Sequence, residues 1–344
     1  MRIVLDAMGS DNAPEPEIQG AVEACQGSPD IEIILVGDES VLKRGLSAYP
    51  PQKNISIVHA EERVLMDDSP AQAVRKKKSS SLLVGLRLVK EGEADAFLSA
   101  GNTGAVMLGS RVVLGPIPGV RRSAICQILP TLDQKGVVVL DLGANVDCNA
   151  EHLCQFAEMG QVFSQLNLGI KRPRVGLVNI GEEQAKGNDI AKAVHRNLTA
   201  AEHINFVGNI EPKALFAGKA DVAICDGFIG NIILKTSESV AGLMKNMLER
   251  EMRSSFLNTV GALLSRNAFR TLKSEIDPNE STGAPLLGVN GIVIIVHGSC
   301  APSAIKNALI GAKKEFELGL NEHIQKGIAE LRKEVEAIKS EETA

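Results

Sequence analysis

Aromatic residues are scarce in this chain. Of 344 residues none is Trp, one is Tyr, and the three aromatic types together make 3%. That argues against stacking platforms for nucleic-acid bases or sugars. Positive charge is not in excess either. Lys and Arg number 37 against 42 Asp and Glu, a formal net charge of -5, so no global footprint for nucleic acid is expected. No apolar run approaches the roughly 20 residues that a transmembrane helix needs. The opening MRIVLDAMGSD turns polar within a few residues and does not read as a secretory signal. The six cysteines have no paired metal-ligand spacing; His152 lies between Cys148 and Cys154, but no second ligand pair accompanies them. Buried, reduced thiols in a cytoplasmic protein are the expectation, with no metal site. Three signatures are also missing: the Walker A loop, the G-x-G-x-x-G dinucleotide loop and the G-x-S-x-G nucleophile elbow.

What is present is an alternation. Apolar runs at 2–6, 31–37, 54–58, 95–100, 136–144, 173–181, 204–210, 221–227 and 291–298 read as strands, and their continuity fits strands covered on both faces. Helix-length segments lie between most of them, at 14–26, 38–48, 80–91, 102–114, 150–167, 187–200, 228–248 and 301–318. The pattern predicts one α/β domain over 1–344, a three-layer α/β/α arrangement around a mostly parallel sheet. RRSAICQILP (121–130) reads as a strand that departs from the parallel order. Residues 60–80 are highly charged and read as a surface loop plus a short helix. Residues 236–275 form a long inserted amphipathic helical stretch, a protruding hairpin. Residues 320–344 read as a charged, mostly exposed helix.

In open α/β sheets ligands bind at the carboxyl ends of the strands. Six such ends share a vocabulary of Gly, Asn, Asp and small hydroxyls: DAMGSDNAP, SAGNTGA, DLGANVD, NIGEEQAKGN, DGFIGN and HGSC. Their number suggests one shared cleft. In SAGNTGA, Gly101 and Gly104 allow close backbone approach, and Asn102 or Thr103 can cap the following helix. Exposed N–H groups beside Ser99, Asn102 and Thr103 make either a plain helix cap or an anion site. Lys186, beside Gly187 and Asn188 at another strand end, offers positive charge for the second reading. Asp6, Asp11 and Asp141 either cap helices, orient a cation or bind Mg²⁺, and two carboxylates alone do not define a metal site. His297 is the best-placed histidine, either a hydrogen-bonded imidazole or a catalytic one.

With these strand ends in hand, the chain closely resembles the bacterial phosphate acyltransferases of phospholipid synthesis. The blocks that carry the resemblance are LDAMGSDNAP, SAGNTGA, LDLGANVDC, NIGEEQAKGN, CDGFIGNIILK and GAPLLGVNGIVIIVHG, spread from residue 5 to about 298. Departures are local: Ser10 stands where the family usually has Gly, Pro212-Lys213-Ala214 replaces a Gly and an acidic residue, and Cys300 stands in place of Ser. The resemblance implies a fold related to phosphotransacetylases and isocitrate-dehydrogenase-like enzymes. It implies a homodimer with the site near the subunit interface, and no cofactor. The implied reaction joins inorganic phosphate to a long-chain acyl group from acyl carrier protein. A downstream membrane acyltransferase then uses the acyl phosphate.

That chemistry fits the residue types. Phosphate is itself the nucleophile, so no serine elbow is needed; proximity and oxyanion stabilisation do the work. On this reading Ser99, Gly101, Asn102, Thr103 and Gly104 hold phosphate and Lys186 offsets its charge. Asn188, Asn145 or His297 donates to the thioester carbonyl, and Asp6, Asp11 and Asp141 support the site. In 248–275, Phe256, Val260, Leu263 and Leu264 share a helical face flanked by Arg250, Arg253, Arg266, Arg270 and Lys273. The face either packs in a dimer core or lies on an anionic bilayer. The resemblance favours the second, a cytoplasmic enzyme peripherally attached to the inner face of the cell membrane. Two basic patches, Arg75 with Lys76, Lys77 and Lys78, and Lys171 with Arg172 and Arg174, are candidates for docking acidic acyl carrier protein. The rival readings are a short-chain phosphotransacetylase using acyl-CoA, a decarboxylating dehydrogenase needing Mg²⁺ and NAD(P), and a non-catalytic carrier-protein or lipid-surface binder.

Overall fold

The computed structural model describes residues 1–276 and 282–342. Its strands are β1 (Arg2–Asp6), β2 (Glu32–Gly37), β3 (Ile55–His59), β4 (Ala96–Ser99), β5 (Ala124–Leu129), β6 (Val137–Leu140), β7 (Val175–Val178), β8 (Phe206–Ile210), β9 (Val222–Ile224), β10 (Ala284–Leu287) and β11 (Ile292–Ile295). Its helices are α1 (Glu15–Gly27), α2 (Glu39–Leu46), α3 (Pro70–Lys76), α4 (Ser81–Lys90), α5 (Thr103–Val113), α6 (Ala150–Leu168), α7 (Asp189–Ala200), α8 (Pro212–Phe216), α9 (Gly227–Met252), α10 (Phe256–Leu264), α11 (Arg266–Ile276), α12 (Pro302–Glu317) and α13 (Leu320–Glu342).

The strands join in one sheet, in the order β3-β2-β1-β4-β11-β10-β5-β6-β9-β7-β8. Every residue of β4, β6, β7, β9 and β11 is buried, because helices cover both faces. Two apolar layers result. One packs Ile18, Phe156, Leu198, Ile305 and Ile324 onto the sheet; the other packs Leu82, Leu86, Val106 and Leu215. This is the predicted three-layer, mostly parallel α/β class.

The register decides where the strand ends point. β3, β2, β1, β4 and β11 run in one direction. β10 is antiparallel to both β11 and β5, and β5 is antiparallel to β6. β6, β9, β7 and β8 are mutually parallel and therefore run opposite to the first five. The carboxyl ends of the two halves thus emerge at opposite edges of the sheet. The six strand ends read as one cleft are two groups in a single chain.

α13 buries one stripe: Leu320, Ile324, Ile328 and Leu331 are buried and pack the helix along α6, while most of the positions between them are exposed. The stretch after residue 236 is made of the rest of α9, then α10 and α11. Only Gly227 and Gly230 of α9 are buried, and no residue of α10 is.

Candidate active site

The first group surrounds the β4–α5 turn. Ser99 ends β4 opposite Asp6 of β1 and Ile295 of β11. Asn102 caps α5, its Oδ1 accepting the Ala105 N–H at 3.0 Å. Its Nδ2 donates to the carbonyls of Leu65, Met66 and Asp68, at 3.3, 2.9 and 3.0 Å, which ties the 60–69 loop over the turn. The Ser99 hydroxyl donates to Asp6 at 2.8 Å and accepts the Gly101 N–H at 3.1 Å. Burial pushes the Asp6 carboxyl up, against the hydrogen bonds it receives from Ser81, Ser99 and Met8. Ser99 and Asn102 are buried and their side chains are engaged, so in this structure they brace the turn and do not face a ligand.

What the turn presents is backbone. The N–H groups of Thr103 and Gly104 make no hydrogen bond among the described residues, and they open the positive end of α5. Thr103 is exposed and Gly104 half-buried. Gly9 lies directly alongside: a Cβ there would stand 2.8 Å from the Gly101 nitrogen, so only glycine admits this approach. Asp11 is exposed at the same mouth, its N–H donating to the Gly298 carbonyl at 2.9 Å.

His297 stands on this edge too, just past β11, where the Val296 N–H bonds the Ser99 carbonyl. The Ser299 N–H donates to its Nδ1 at 3.3 Å, and the Ser299 hydroxyl lies 2.9 Å from the same nitrogen. An Nδ1 that accepts a backbone N–H carries no proton, so in the neutral ring Nε2 bears it. His297 is exposed and offers that Nε2–H as a donor.

The second group sits at the opposite edge. Asp141, wholly buried after β6, gathers its loop: Oδ1 accepts from Ile125, Ala144 and Gly143, and Oδ2 accepts from the Asn145 backbone and side chain at 2.6 and 2.9 Å. Burial pushes its carboxyl up despite these donors. The other Asn145 amide bond goes to the Ser123 carbonyl at 2.7 Å, so this amide is spent holding the loop and is no free donor to a substrate carbonyl. Gly227, at the head of α9, fits against the same loop and donates its N–H to the Asn145 carbonyl at 2.7 Å. On the same edge, at the end of β7, Asn188 caps α7 through Ala191. Lys186 is exposed, and its ammonium has no partner among the described residues.

The structure therefore brings together Asp6, Asp11, Ser99, Gly101, Asn102, Thr103, Gly104 and His297. It sets Asp141, Asn145, Lys186 and Asn188 apart from them. Of the two basic patches, Arg75 and Lys76 are exposed on α3, whose first residue, Pro70, packs on Gly104. In the other, Arg174 is withdrawn into a pair with Asp221, with contacts of 2.8 and 3.0 Å. Two features had no reading in the sequence. Glu17 is buried behind Ser10, and nothing in the sequence marks it, because acids such as Glu15 and Glu17 are ordinary in the first turn of a helix. His203 is held between Glu158 at 2.8 Å and Glu334 at 2.7 Å, across residues far apart in the chain.

The fold, a mostly parallel sheet layered by helices on both faces, is an α/β class that solved phosphotransacetylases share. A phosphotransacetylase from Streptococcus pyogenes superposes with a TM-score of 0.60 at 18% identity, covering 92% of this chain and 94% of that one. The EutD phosphotransacetylase from Staphylococcus aureus gives 0.58 at 16% identity, over 91% and 94%. Residues 1–323 match the model of the fatty acid synthesis protein family. The phosphate acyltransferase of Halothermothrix orenii is 47% identical over 316 residues, 91% of this chain and 94% of its own length. That of Acidobacterium capsulatum is 46% identical over 329 residues, 95% and 97%. The chain belongs to this family, whose curated members here are phosphate acyltransferases, enzymes that move an acyl group onto phosphate.

Proposed function

We propose that this chain transfers a long-chain acyl group from acyl carrier protein to inorganic phosphate at the mouth formed by β1, β4 and β11. The observation that carries the reading is the pair of unpartnered N–H groups of Thr103 and Gly104 at the start of α5. A helix start of this kind suits a tetrahedral anion. Hydrogen phosphate bound there attacks the thioester carbon; a C–O bond forms and the carbonyl oxygen becomes an oxyanion. The Nε2–H of His297 donates to that oxygen. The intermediate collapses, the C–S bond breaks, and the proton shed by phosphate ends on the departing thiolate. The products are acyl phosphate and free carrier protein.

Arg75 and Lys76 beside the mouth supply positive charge for an acidic carrier protein. Lys186 and Asn188 join this chemistry only from a second copy, because within one chain they open on the other edge. The strand directions thus favour a homodimer whose two composite sites each draw on both protomers. The exposed face of α10 supports peripheral contact with the inner face of the membrane, where a downstream acyltransferase would take up a product with a long acyl tail. Phe256, Leu257 and Leu264 are about four-fifths exposed, and Arg250, Arg253, Arg266 and Arg270 lie exposed to either side in sequence. No helix among the described residues is long and apolar enough to cross a membrane.

The test is direct. The protein is incubated with phosphate and palmitoyl carrier protein, and acyl phosphate is trapped as its hydroxamate. Phosphate-dependent hydroxamate supports the reading. A product formed from acetyl-CoA and none from palmitoyl carrier protein would point instead to a short-chain phosphotransacetylase.

A further inference from the structure

Behind the mouth lies a pair of groups to which the reaction above assigns no role. Glu17, in the first turn of α1, is completely buried. Its Oε1 accepts the Ser10 N–H at 3.1 Å, and its Oε2 has no hydrogen-bond partner. The Ser10 hydroxyl is likewise buried and likewise unpartnered. Ser10 follows Gly9, whose backbone abuts Gly101, so a shift at Ser10 passes directly to the turn that carries Thr103 and Gly104.

Buried polar atoms without partners are rare, because each forfeits its hydration. A carboxylate this deeply buried, with one backbone donor on Oε1 and none on Oε2, is costly to keep charged, and a proton removes that charge. The groups that bear on Glu17 are the Asp6 carboxyl of β1 and the Cys300 thiol before α12, with Asp11 also near that thiol. None of them is a cation. Burial foremost, with the Asp6 charge adding to it, pushes the Glu17 carboxyl up to about 7. Ionising it sets a further buried negative charge behind the place where an anion has to bind.

We propose that Glu17 is a proton-coupled residue behind the anion site. Its acid form leaves the space behind the Ser10–Gly9 strut uncharged and lets a tetrahedral anion settle on Thr103 and Gly104, and its ionised form repels that anion. The inference rests on the anion site proposed above and adds the proton that must accompany binding.

The test measures inorganic phosphate binding to the full chain by calorimetry at pH values from about 6 to about 8, for wild type and Glu17→Gln. The ratio of the two affinities cancels the titration of phosphate itself. The variant is expected to match wild type at the acid end and to bind about tenfold tighter at about pH 8, where wild type must take up a proton. A second measurement needs no variant. Sulfate remains a dianion over this range, and its binding to wild type near neutral pH, run in buffers of different ionisation enthalpy, should show net proton uptake. Parallel pH profiles for the two proteins, or sulfate binding without proton uptake, overturn the role of Glu17 and leave the anion site standing. Failure of phosphate to bind at any pH overturns the anion site and this inference together.

Discussion

Ser99 and Asp6 close the ends of two adjacent parallel strands, and the hydroxyl of the first donates to the carboxylate of the second at 2.8 Å. Both are buried, and the same hydroxyl accepts the Gly101 N–H. The pair is a brace beneath the turn proposed to hold phosphate. Ser99→Ala should therefore act first on stability, costing about 1–3 kcal/mol by leaving buried groups short of partners. Thermal unfolding checks this. An unchanged melting temperature with a raised KM for phosphate would make the hydroxyl a ligand and not a brace.

On the proposed mechanism the donor role falls to His297, since Asn145 is fully engaged and Asn188 lies at the far edge. Removing one oxyanion donor typically costs about 100-fold or more in turnover. His297→Ala is expected to lower kcat by that order with little change in KM for phosphate. A rise in KM alone would place the ring on the phosphate and not on the carbonyl.

Opposed strand directions make a specific claim about assembly. If Lys186 serves the mouth of a second copy, two inactive variants should complement each other. Gly104→Val, blocked by Pro70, and Lys186→Ala are each expected to be weak. Random mixing after dissociation should restore about a quarter of wild-type activity, because half the dimers keep one intact composite site. Activity no greater than the average of the parents contradicts shared sites.

The apolar face of α10 predicts a surface-binding phenotype. Phe256→Glu with Leu264→Glu should abolish sedimentation with anionic vesicles and leave the melting temperature unchanged, since both side chains are about four-fifths exposed. A loss of folding would mean that the face is packed in the working assembly.

A pH dependence of stability follows from His203. Hydrogen bonding and charge from Glu158, then Glu334, raise this imidazole from 6.5 to about 9, against the opposing effect of burial. A pKa raised on folding stabilises fully below the unfolded value. The contribution is therefore complete below about 6.5 and declines as pH rises to about 9. His203→Gln should flatten the fall in melting temperature across that window; an equal fall in both proteins would contradict it.

Much of this architecture was legible because strands buried on both faces leave continuous apolar runs, and helices leave segments of the right length. The departure of β5 from parallel order was legible as well. β10 was not: GAPLL is short and holds Gly and Pro, and its place is fixed by pairing with β11 and β5. That missing strand concealed the reversal of direction, so the six polar strand ends looked like one cleft. In the tail the charged residues are legible as a solvent face, while Leu320, Ile324, Ile328 and Leu331 form a helical stripe whose partner, α6, is distant in sequence. At the site, residue types were right and their employment was hidden. Nothing local indicates that Ser99 and Asn102 face inward, because Asp6 and the 65–68 carbonyls that hold them are distant in sequence.

The central claim is that a phosphate ion sits on the first turn of α5. A crystal of the protein grown or soaked with orthophosphate measures this most directly. The account predicts tetrahedral density within hydrogen-bond reach of the Thr103 and Gly104 nitrogens, with His297 at the open side. Density settling elsewhere, with that turn empty, would contradict it.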